Sequence, residues 1–213
     1  MSNFFLSTTI HSSTSTAEQN TSGDFGALWV EQGTSSVNGA LIGSGVGAYL
    51  RTGDRIKAAP DSNARLVQFW LSRTMPKNDD ASSTLLSKQI TINSDKVLLR
   101  LDEVKFPPGA TAFRHIHPGA GIRYLSHGQL EIISDDHRET AEAGHIWFEP
   151  ANSPVRAVAS MNYPSTSFVR FMVLPVEYAG KSTIQILNAD DAAKPRLQVT
   201  HRHFDKIVQV APG

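Results

Sequence analysis

The feature that most constrains the fold is a succession of short apolar runs separated by turn-forming residues. Residues 65–71, 97–101 and 168–174 are such runs, and they are rich in β-branched or aromatic side chains. Turn signals such as Pro-Pro-Gly at residues 107–109 stand between them. Only residues 188–194 favour a helix, a short one that begins at an asparagine cap. Because the strands follow one another without intervening helices, the sequence predicts an all-β sandwich or barrel.

Composition narrows the classes of function. The chain of 213 residues is 40% hydrophobic, which is enough for a substantial core. Its 20 basic and 20 acidic residues cancel, so we expect neither nucleic acid nor a membrane as a partner. The absence of cysteine excludes disulfides and cysteine nucleophiles. No run approaches the roughly 20 apolar residues of a membrane span, and no basic signal region precedes the first apolar residues, so we expect a cytoplasmic protein.

His115 and His117 form the most informative local pattern. Side chains two residues apart on a β-strand project from the same face, so both imidazoles point the same way. Imidazole is the commonest metal ligand near neutral pH, and the pair therefore predicts the start of a metal site. The alternative is a pair of hydrogen-bonded core histidines.

The residues around this pair resemble the first motif of the cupin family, G-x5-H-x-H-x(3,4)-E-x6-G. Gly109, His115, His117 and Gly128 stand in register with it. The resemblance implies a double-stranded β-helix, or jelly roll, in which the two histidines face the interior of the barrel.

The second cupin motif, G-x5-P-x-G-x2-H, resembles the stretch that begins at Gly144 and includes Pro150. Asn152 replaces the motif glycine, and asparagine also tolerates a left-handed turn. The extent of the resemblance and the composition of the first residues together divide the chain into four regions: a flexible Ser/Thr-rich arm (1–24), an N-terminal β extension (25–84), the cupin barrel (85–176) and a C-terminal extension (177–213).

Two positions depart from the motifs. Gly121 stands where the motif glutamate is expected, and Val155 stands where the third histidine is expected. A typical metal cupin holds its ion with three histidines and one glutamate, and this chain keeps half of that set.

Glu149 is the candidate that could complete the site. If Trp147 faces the interior, Glu149 does so as well, because side chains alternate along a strand. Together with His115 and His117 it would give the two-histidine, one-carboxylate set of non-haem iron proteins, holding Fe or Zn. The alternative is that Glu149 caps a turn or pairs with an arginine at the barrel rim.

Arg123 shares the inward face with the vacant glutamate position. Because a buried arginine needs a carboxylate, we expect it either to pair with Glu103 or Glu149, or to anchor the carboxylate of a substrate. Arg170 is expected to be a solvated or rim residue. The predicted site therefore has two catalytic candidates, Arg123 and Glu149, and a substrate pocket lined by Arg123, Trp147, Phe113, Gly121 and Val155.

A second His-x-His stretch, His201-Arg202-His203, lacks a glycine frame and has a charged surround. We expect these histidines to lie at the surface or at an oligomer contact.

Two functions remain open. The resemblance implies a metal-dependent enzyme acting on a small organic molecule, and oxygenase chemistry is favoured because a depleted ligand set leaves coordination positions open. Lyases, isomerases and cyclases share the scaffold, and the fold does not choose among them. The alternative is a metal-free binding or sensing cupin, in which Gly121 and Val155 make room for an apolar ligand. Since cupins often associate through terminal strands, a homodimer is expected.

Overall fold

The computed structural model describes residues 1–13, 18–21, 23–60, 62–75 and 83–210. These residues form two compact units, residues 1–95 and residues 96–210, and both are built mainly from antiparallel β-strands. Of the helices in this part of the chain, none is long and apolar enough to cross a membrane.

The described part of the first unit has nine strands, which are β1 (Ser2–Ser13), β2 (Glu18–Asn20), β3 (Phe25–Gln32), β4 (Thr34–Val37), β5 (Ala40–Gly43), β6 (Gly47–Arg51), β7 (Arg55–Ala58), β8 (Ala64–Ser72) and β9 (Ser83–Ile92). They form one sheet in the order β6-β3-β8-β1-β9 and a second in the order β2-β7-β4-β5. Buried side chains of both sheets, among them Leu28, Ile56 and Leu66, share one core.

Strand β1 replaces most of the flexible arm expected at residues 1–24. It lies between β8 and β9, and the side chains of Phe4, Leu6 and Thr8 are buried. The hydroxyl of Thr8 donates a hydrogen bond to the carbonyl oxygen of Gln68 at 2.9 Å. The Ser/Thr-rich composition suggested an arm, but threonine also favours strands, and burial of alternate apolar side chains decides the outcome. Residues 14–17 and 22 of the expected arm lie outside the described residues.

The described part of the second unit has ten strands and two short helical turns. The strands are β10 (Lys96–Phe106), β11 (Thr111–Ile116), β12 (Gly121–His127), β13 (Gln129–Ser134), β14 (Arg138–Glu142), β15 (Ile146–Glu149), β16 (Val155–Ala159), β17 (Thr166–Leu174), β18 (Gln185–Ile186) and β19 (Val199–Gln209). A 3-10 turn (Val176–Tyr178) and helix α1 (Ala189–Ala192) lie near the chain's C-terminal part. The side chain of Asn188 accepts hydrogen bonds from two backbone N–H groups of α1, which confirms the predicted cap.

Two five-stranded sheets make up the second unit. Their orders are β15-β12-β17-β10-β19 and β14-β13-β16-β11-β18, and side chains from both line one cavity. This arrangement confirms the all-β class and fits the predicted jelly roll. Strand β19 pairs with β10 along ten residues, so the C-terminal residues 199–209 are part of a barrel sheet, whereas β9 belongs to the first unit.

The motif glycines are explained by backbone geometry. Gly109 and Gly128 have φ angles of 69° and 80°, which L side chains rarely adopt. Asn152, which replaces a motif glycine, also has a positive φ of 59°, as predicted. Gly109 precedes β11, which carries His115, whereas Gly128 joins β12 to β13 and Asn152 lies between β15 and β16.

Replacing Leu6 by alanine tests the place of β1 in the sheet. The Leu6 side chain is 0% exposed, so the variant should lose about 2–5 kcal/mol of unfolding free energy. The control is Asn3→Ala, an exposed position of the same strand, which should change stability by less than about 0.5 kcal/mol. Chemical denaturation followed by circular dichroism measures both. Equal, small effects would show that residues 2–13 are not packed in the sheet.

Candidate functional site

One cavity of about 430 Å³ occupies the interior of the second unit. This volume is in the range of small-molecule sites. Both sheets contribute to its wall, and so do residues 182–184 and the alternate residues Arg196, Gln198, Thr200 and Arg202 from the C-terminal part of the chain. The charged or imidazole side chains that line it are Arg100, Asp102, His115, His117, Arg123, Glu149, Arg170, Arg196 and Arg202.

A row of charged side chains crosses the sheet that contains β10. Asp102 stands opposite Arg202 of β19 on one side and opposite Arg170 of β17 on the other. Arg170 in turn stands opposite Arg123 of β12. Residues directly opposite each other in neighbouring strands project from the same face, and all four line the cavity. The register of the sheet thus places three guanidinium groups and one carboxylate in one row.

Arg170 links this row to the histidine pair. Its Nη1 donates a hydrogen bond to Nε2 of His117 at 3.1 Å, and its Nη2 donates to Oδ2 of Asp102 at 3.0 Å. The side chain of Arg170 is only 11% exposed, and that of Asp102 is 1% exposed. Arg170 is therefore a cavity residue, not the solvated or rim residue expected from the sequence.

The protonation of His117 follows from its two neighbours. Its Nδ1 lies 3.1 Å from both the carbonyl oxygen and the hydroxyl of Thr183. Because a carbonyl oxygen only accepts hydrogen bonds, Nδ1 carries the proton, and Nε2 carries the lone pair that Arg170 binds.

His115 has the same tautomer but a different partner. Its Nδ1 donates to the carbonyl oxygen of Phe113 at 2.6 Å, so the lone pair is again on Nε2. No described residue forms a hydrogen bond with that Nε2. The two imidazole centroids are 4.9 Å apart and nearly perpendicular. His115 thus offers a basic nitrogen to whatever enters the cavity.

Burial keeps both histidines neutral. It is the largest cause of the lowered pKa of His115, and the hydrogen bond to Phe113 only partly opposes it. For His117, burial and then the charges of Arg170 and Arg123 hold the pKa well below its ordinary value of 6.5. At pH 7 the pair therefore contributes hydrogen-bonding groups to the cavity and no charge.

Arg123 and Glu149 form a buried ion pair. Nη2 of Arg123 lies 2.6 Å from Oε2 of Glu149, and Nη1 donates to the carbonyl oxygen of Gly121 at 2.6 Å. The other carboxylate oxygen of Glu149 accepts the indole N–H of Trp147 at 2.9 Å. Burial lowers the pKa of Arg123 to about 10, which still leaves it charged at neutral pH. Of the two partners expected for Arg123, the structure selects Glu149 and not Glu103.

The glycine at position 121 makes room for this pair. A Cβ atom there would lie 2.9 Å from Nη1 of Arg123 and 2.6 Å from the carbonyl oxygen of Phe171. Carbon atoms do not approach backbone oxygens that closely in well-packed interiors. The motif glutamate and the observed position of Arg123 therefore exclude each other.

Arg100 holds the C-terminal segment against the barrel. Its guanidinium group is 1% exposed and donates to both carboxylate oxygens of Asp205, at 2.6 and 2.8 Å. It also donates to the carbonyl oxygens of Tyr178 and Lys181, at 2.8 and 2.9 Å. These bonds fix the segment that brings Thr183 to the histidine pair.

The described residues do not fit a divalent metal ion at the predicted place. Among them, no three His, Cys, Asp or Glu side chains lie close enough together to hold one ion. Nε2 of His117 already accepts from Arg170, and both oxygens of Glu149 are engaged by Arg123 and Trp147. The structure brings His115 and His117 together, as metal-binding histidines with carbonyl-bound Nδ1 atoms would be, but it gives them no third donor.

The other predicted pocket residues divide into two groups. Trp147 and Val155 line the cavity, and Gly121 lies beside Arg123. Phe113 is not among the lining residues in the described chain; Nζ of Lys194 lies over its ring, 5.1 Å from the centroid.

His201 and His203 lie on β19 with centroids 4.8 Å apart, and neither lines the cavity. Their surface or oligomer-contact role stays a prediction.

Sequence reasoning missed several cavity residues, namely Arg100, Asp102, Arg170, Thr183, Arg196, Gln198 and Arg202. One signal was available for Asp102, which directly follows the apolar run 97–101. A carboxylate next to a buried strand segment predicts a buried cationic partner. The identity of that partner depends on the sheet register, which the sequence does not state.

Comparisons with known proteins agree with this architecture. Residues 102–160 match the family model described as "Cupin domain". The structure of oxalate decarboxylase from Bacillus subtilis superposes with a TM-score of 0.54 at 13% identity, covering 91% of this chain and 70% of that one. AerE from Microcystis aeruginosa superposes with a TM-score of 0.51 at 16% identity, covering 82% and 88%. No curated protein sequence matches the chain. At these identities the two structures show a shared fold.

Replacing Glu149 by glutamine tests the buried ion pair. The variant leaves the guanidinium of Arg123, which is 1% exposed, without a counter-charge, and should cost about 3–5 kcal/mol of unfolding free energy. Adding Arg123→Met should recover much of that loss. The control is Glu177→Gln, an exposed carboxylate of the 3-10 turn, which should have little effect. If the two single variants are equally stable in denaturant melts, the ion pair is not a buried one.

The histidine pair predicts acid sensitivity. Because the folded-state pKa of His117 lies below 6.5, the unfolded chain binds more protons as the pH falls below 6.5, so stability decreases towards acid. His115 acts in the same direction. His117→Gln should therefore show a smaller loss of unfolding free energy between pH 7 and pH 5 than the unaltered chain. Denaturant melts at a series of pH values measure the slopes. Identical slopes would rule out this contribution of His117.

Proposed function

We propose that the barrel cavity binds a small organic molecule, as the match of residues 102–160 to a cupin domain suggests, and that this ligand is an anion held by arginines without a metal ion. The observation that carries the proposal is the position of Arg170. Its guanidinium group occupies Nε2 of His117, the atom that a metal ion would need. A fixed cation thus stands beside the histidine pair, and an anionic ligand is its natural complement.

The balance of charge supports an anionic ligand. Five arginines line the cavity, and three carboxylates pair with them, namely Asp102, Glu149 and Asp205. Arg202 shares Asp102 and Asp205 with two other arginines, and Arg196 forms no ion pair with any described residue. The excess of guanidinium groups leaves positive charge for a ligand to neutralise.

A buried donor without an acceptor points the same way. Nε of Arg170 is buried and has no hydrogen-bond partner among the described residues. Buried polar groups of native proteins nearly always have a hydrogen-bond partner, and one without a protein partner indicates a bound ligand or water molecule. A carboxylate or phosphate oxygen in the cavity would satisfy it.

The metal-dependent enzyme favoured by the sequence is not the function proposed here. A catalytic Fe or Zn ion would require a third protein donor beside His115 and His117, and Glu149 is committed to Arg123 and Trp147. The metal-free alternative that the sequence left open agrees better with these contacts.

A second candidate function is metal-free proton transfer, as in a lyase or isomerase. His115 favours it, because its Nε2 carries a lone pair, faces no described partner and belongs to a neutral imidazole. A carbonyl or carboxylate held by Arg170 would lie next to this base. Proton transfer would add chemistry to the binding site without changing its ligand class.

Metal content and anion binding are measured on the same preparation. Protein purified without added metal should contain no stoichiometric Fe or Zn by elemental analysis. Small organic carboxylates and phosphate should raise its melting temperature, less so at high ionic strength. Arg170→Met should weaken anion binding roughly 10- to 100-fold. Arg156→Met, an exposed arginine on β16, is the matched control and should bind as the unaltered chain does.

Two results would contradict the proposal. One is stoichiometric metal that disappears in a His115→Ala/His117→Ala variant. The other is anion affinity that is the same in Arg170→Met and in Arg156→Met.

The homodimer expected from the sequence stays a prediction. Strand β19 is an edge strand of its sheet among the described residues, and it carries the exposed apolar side chains Val199 and Ile207. The outermost strand of a sheet can pair with the same strand of a second copy. Light scattering on purified protein should give twice the mass of the chain, and Val199→Lys/Ile207→Lys should give the monomer mass. A monomer at all concentrations would overturn the prediction.

A further inference from the structure

We infer that the ligand is an amphipathic acid, a carboxylate with an apolar body, and that the body lies in a distinct half of the cavity. This inference rests on the proposed anion site and adds the chemistry of the rest of the ligand. It follows from the way in which polarity changes along each strand of the cavity wall.

Strand β10 changes from charged to apolar side chains within four alternate positions. Arg100, Asp102, Val104 and Phe106 all line the cavity, so they project from one face of the strand. The first two are charged and the last two are apolar. At about 3.3 Å per residue, Phe106 lies roughly 13 Å along the strand from Asp102. One end of the cavity wall is therefore charged and the other is apolar.

The neighbouring strand follows the same division. In β17, Arg170 stands opposite Asp102, and Phe168 stands opposite Val104. The ring of Phe168 lies 5.9 Å from that of Phe106 and 5.4 Å from that of Trp147, centroid to centroid. These spacings are typical of packed aromatic pairs. They give the apolar half a wall of three aromatic rings.

The opposite sheet adds aliphatic side chains to this half. Ala112, Leu130, Ile132, Val155 and Ala157 line the cavity and belong to one core cluster with Phe106 and Phe168. Two of the five are alanines, which leave space that larger side chains would fill. None of these side chains can form a hydrogen bond, so polar atoms of a ligand would lose their hydration there without compensation.

Val155 shows how the polarity of the cavity wall differs from that of a metal cupin. It stands where the motif places a histidine and is the strand partner of His115. Its side chain is 5% exposed and packs in the apolar cluster. The position that would hold a metal ligand instead extends the apolar wall towards the histidine pair. The ligand therefore meets arginines at one end and hydrocarbon at the other.

A homologous series of acids tests the inference. Acetate, propanoate, butanoate, pentanoate and hexanoate carry the same charge and differ only in methylene groups. Their dissociation constants are measured by titration calorimetry at constant ionic strength. Each added methylene that enters the apolar half should tighten binding by about fourfold, until the half is full. Succinate and phosphate, which have a second charge or no apolar body, should bind more weakly than hexanoate.

Three variants localise the effect. Ala157→Leu fills the apolar half, so it should weaken hexanoate far more than acetate and flatten the series. Val155→Thr keeps the volume of the side chain and adds a hydroxyl, so it should weaken the binding of hexanoate more than that of acetate. This variant tests the apolar half in case Ala157→Leu disturbs folding. Arg170→Met should weaken all five acids by a similar factor and leave the increase from acid to acid unchanged.

The outcomes separate this inference from the proposed function. Acids that all bind equally well, or tighter binding of succinate or phosphate than of hexanoate, would overturn the amphipathic ligand and leave the anion site standing. If no acid binds, or if binding does not depend on Arg170, the anion site itself is overturned.

Discussion

The guanidinium group of Arg170 is the contact on which the site depends. It joins Nε2 of His117 to the carboxylate of Asp102 inside the barrel. Because it donates to Nε2, it fixes the tautomer of His117 together with the Thr183 carbonyl, and it removes the lone pair that a metal ion would use. The histidine pair, which resembles part of a metal centre, thereby lies beside the arginines that line the cavity.

The most deeply buried arginines of the barrel each have a carboxylate partner. An unpaired guanidinium group in a protein interior costs several kcal/mol. Arg123 is paired with Glu149, and Arg100 is paired with Asp205 and two backbone carbonyl groups. Gly121 belongs to the same system, because only a residue without a side chain leaves space for Arg123. The departures from the cupin motif are thus linked structural requirements and not independent losses.

Much of the fold could be predicted from local sequence, and less of the site could. The glycines around His115 and His117 identify a turn–strand–turn frame, which the positive φ angles of Gly109 and Gly128 explain. The side of the barrel that Arg170 faces could not be predicted, because one residue of register shift would turn it to the other face. Residues 2–13 were equally ambiguous, since threonine-rich segments occur both in strands and in arms.

The sequence by itself determined the fold class, the barrel motif and the convergence of two imidazoles, because these depend on spacing within a few residues. It also showed that Gly121 and Val155 break the metal-binding pattern. Only the tertiary structure decided what replaces the metal ligands. The contacts between Arg170, His117 and Asp102 join three strands or turns that are distant in sequence. Such contacts arise from the register between strands, which is not encoded in any one segment.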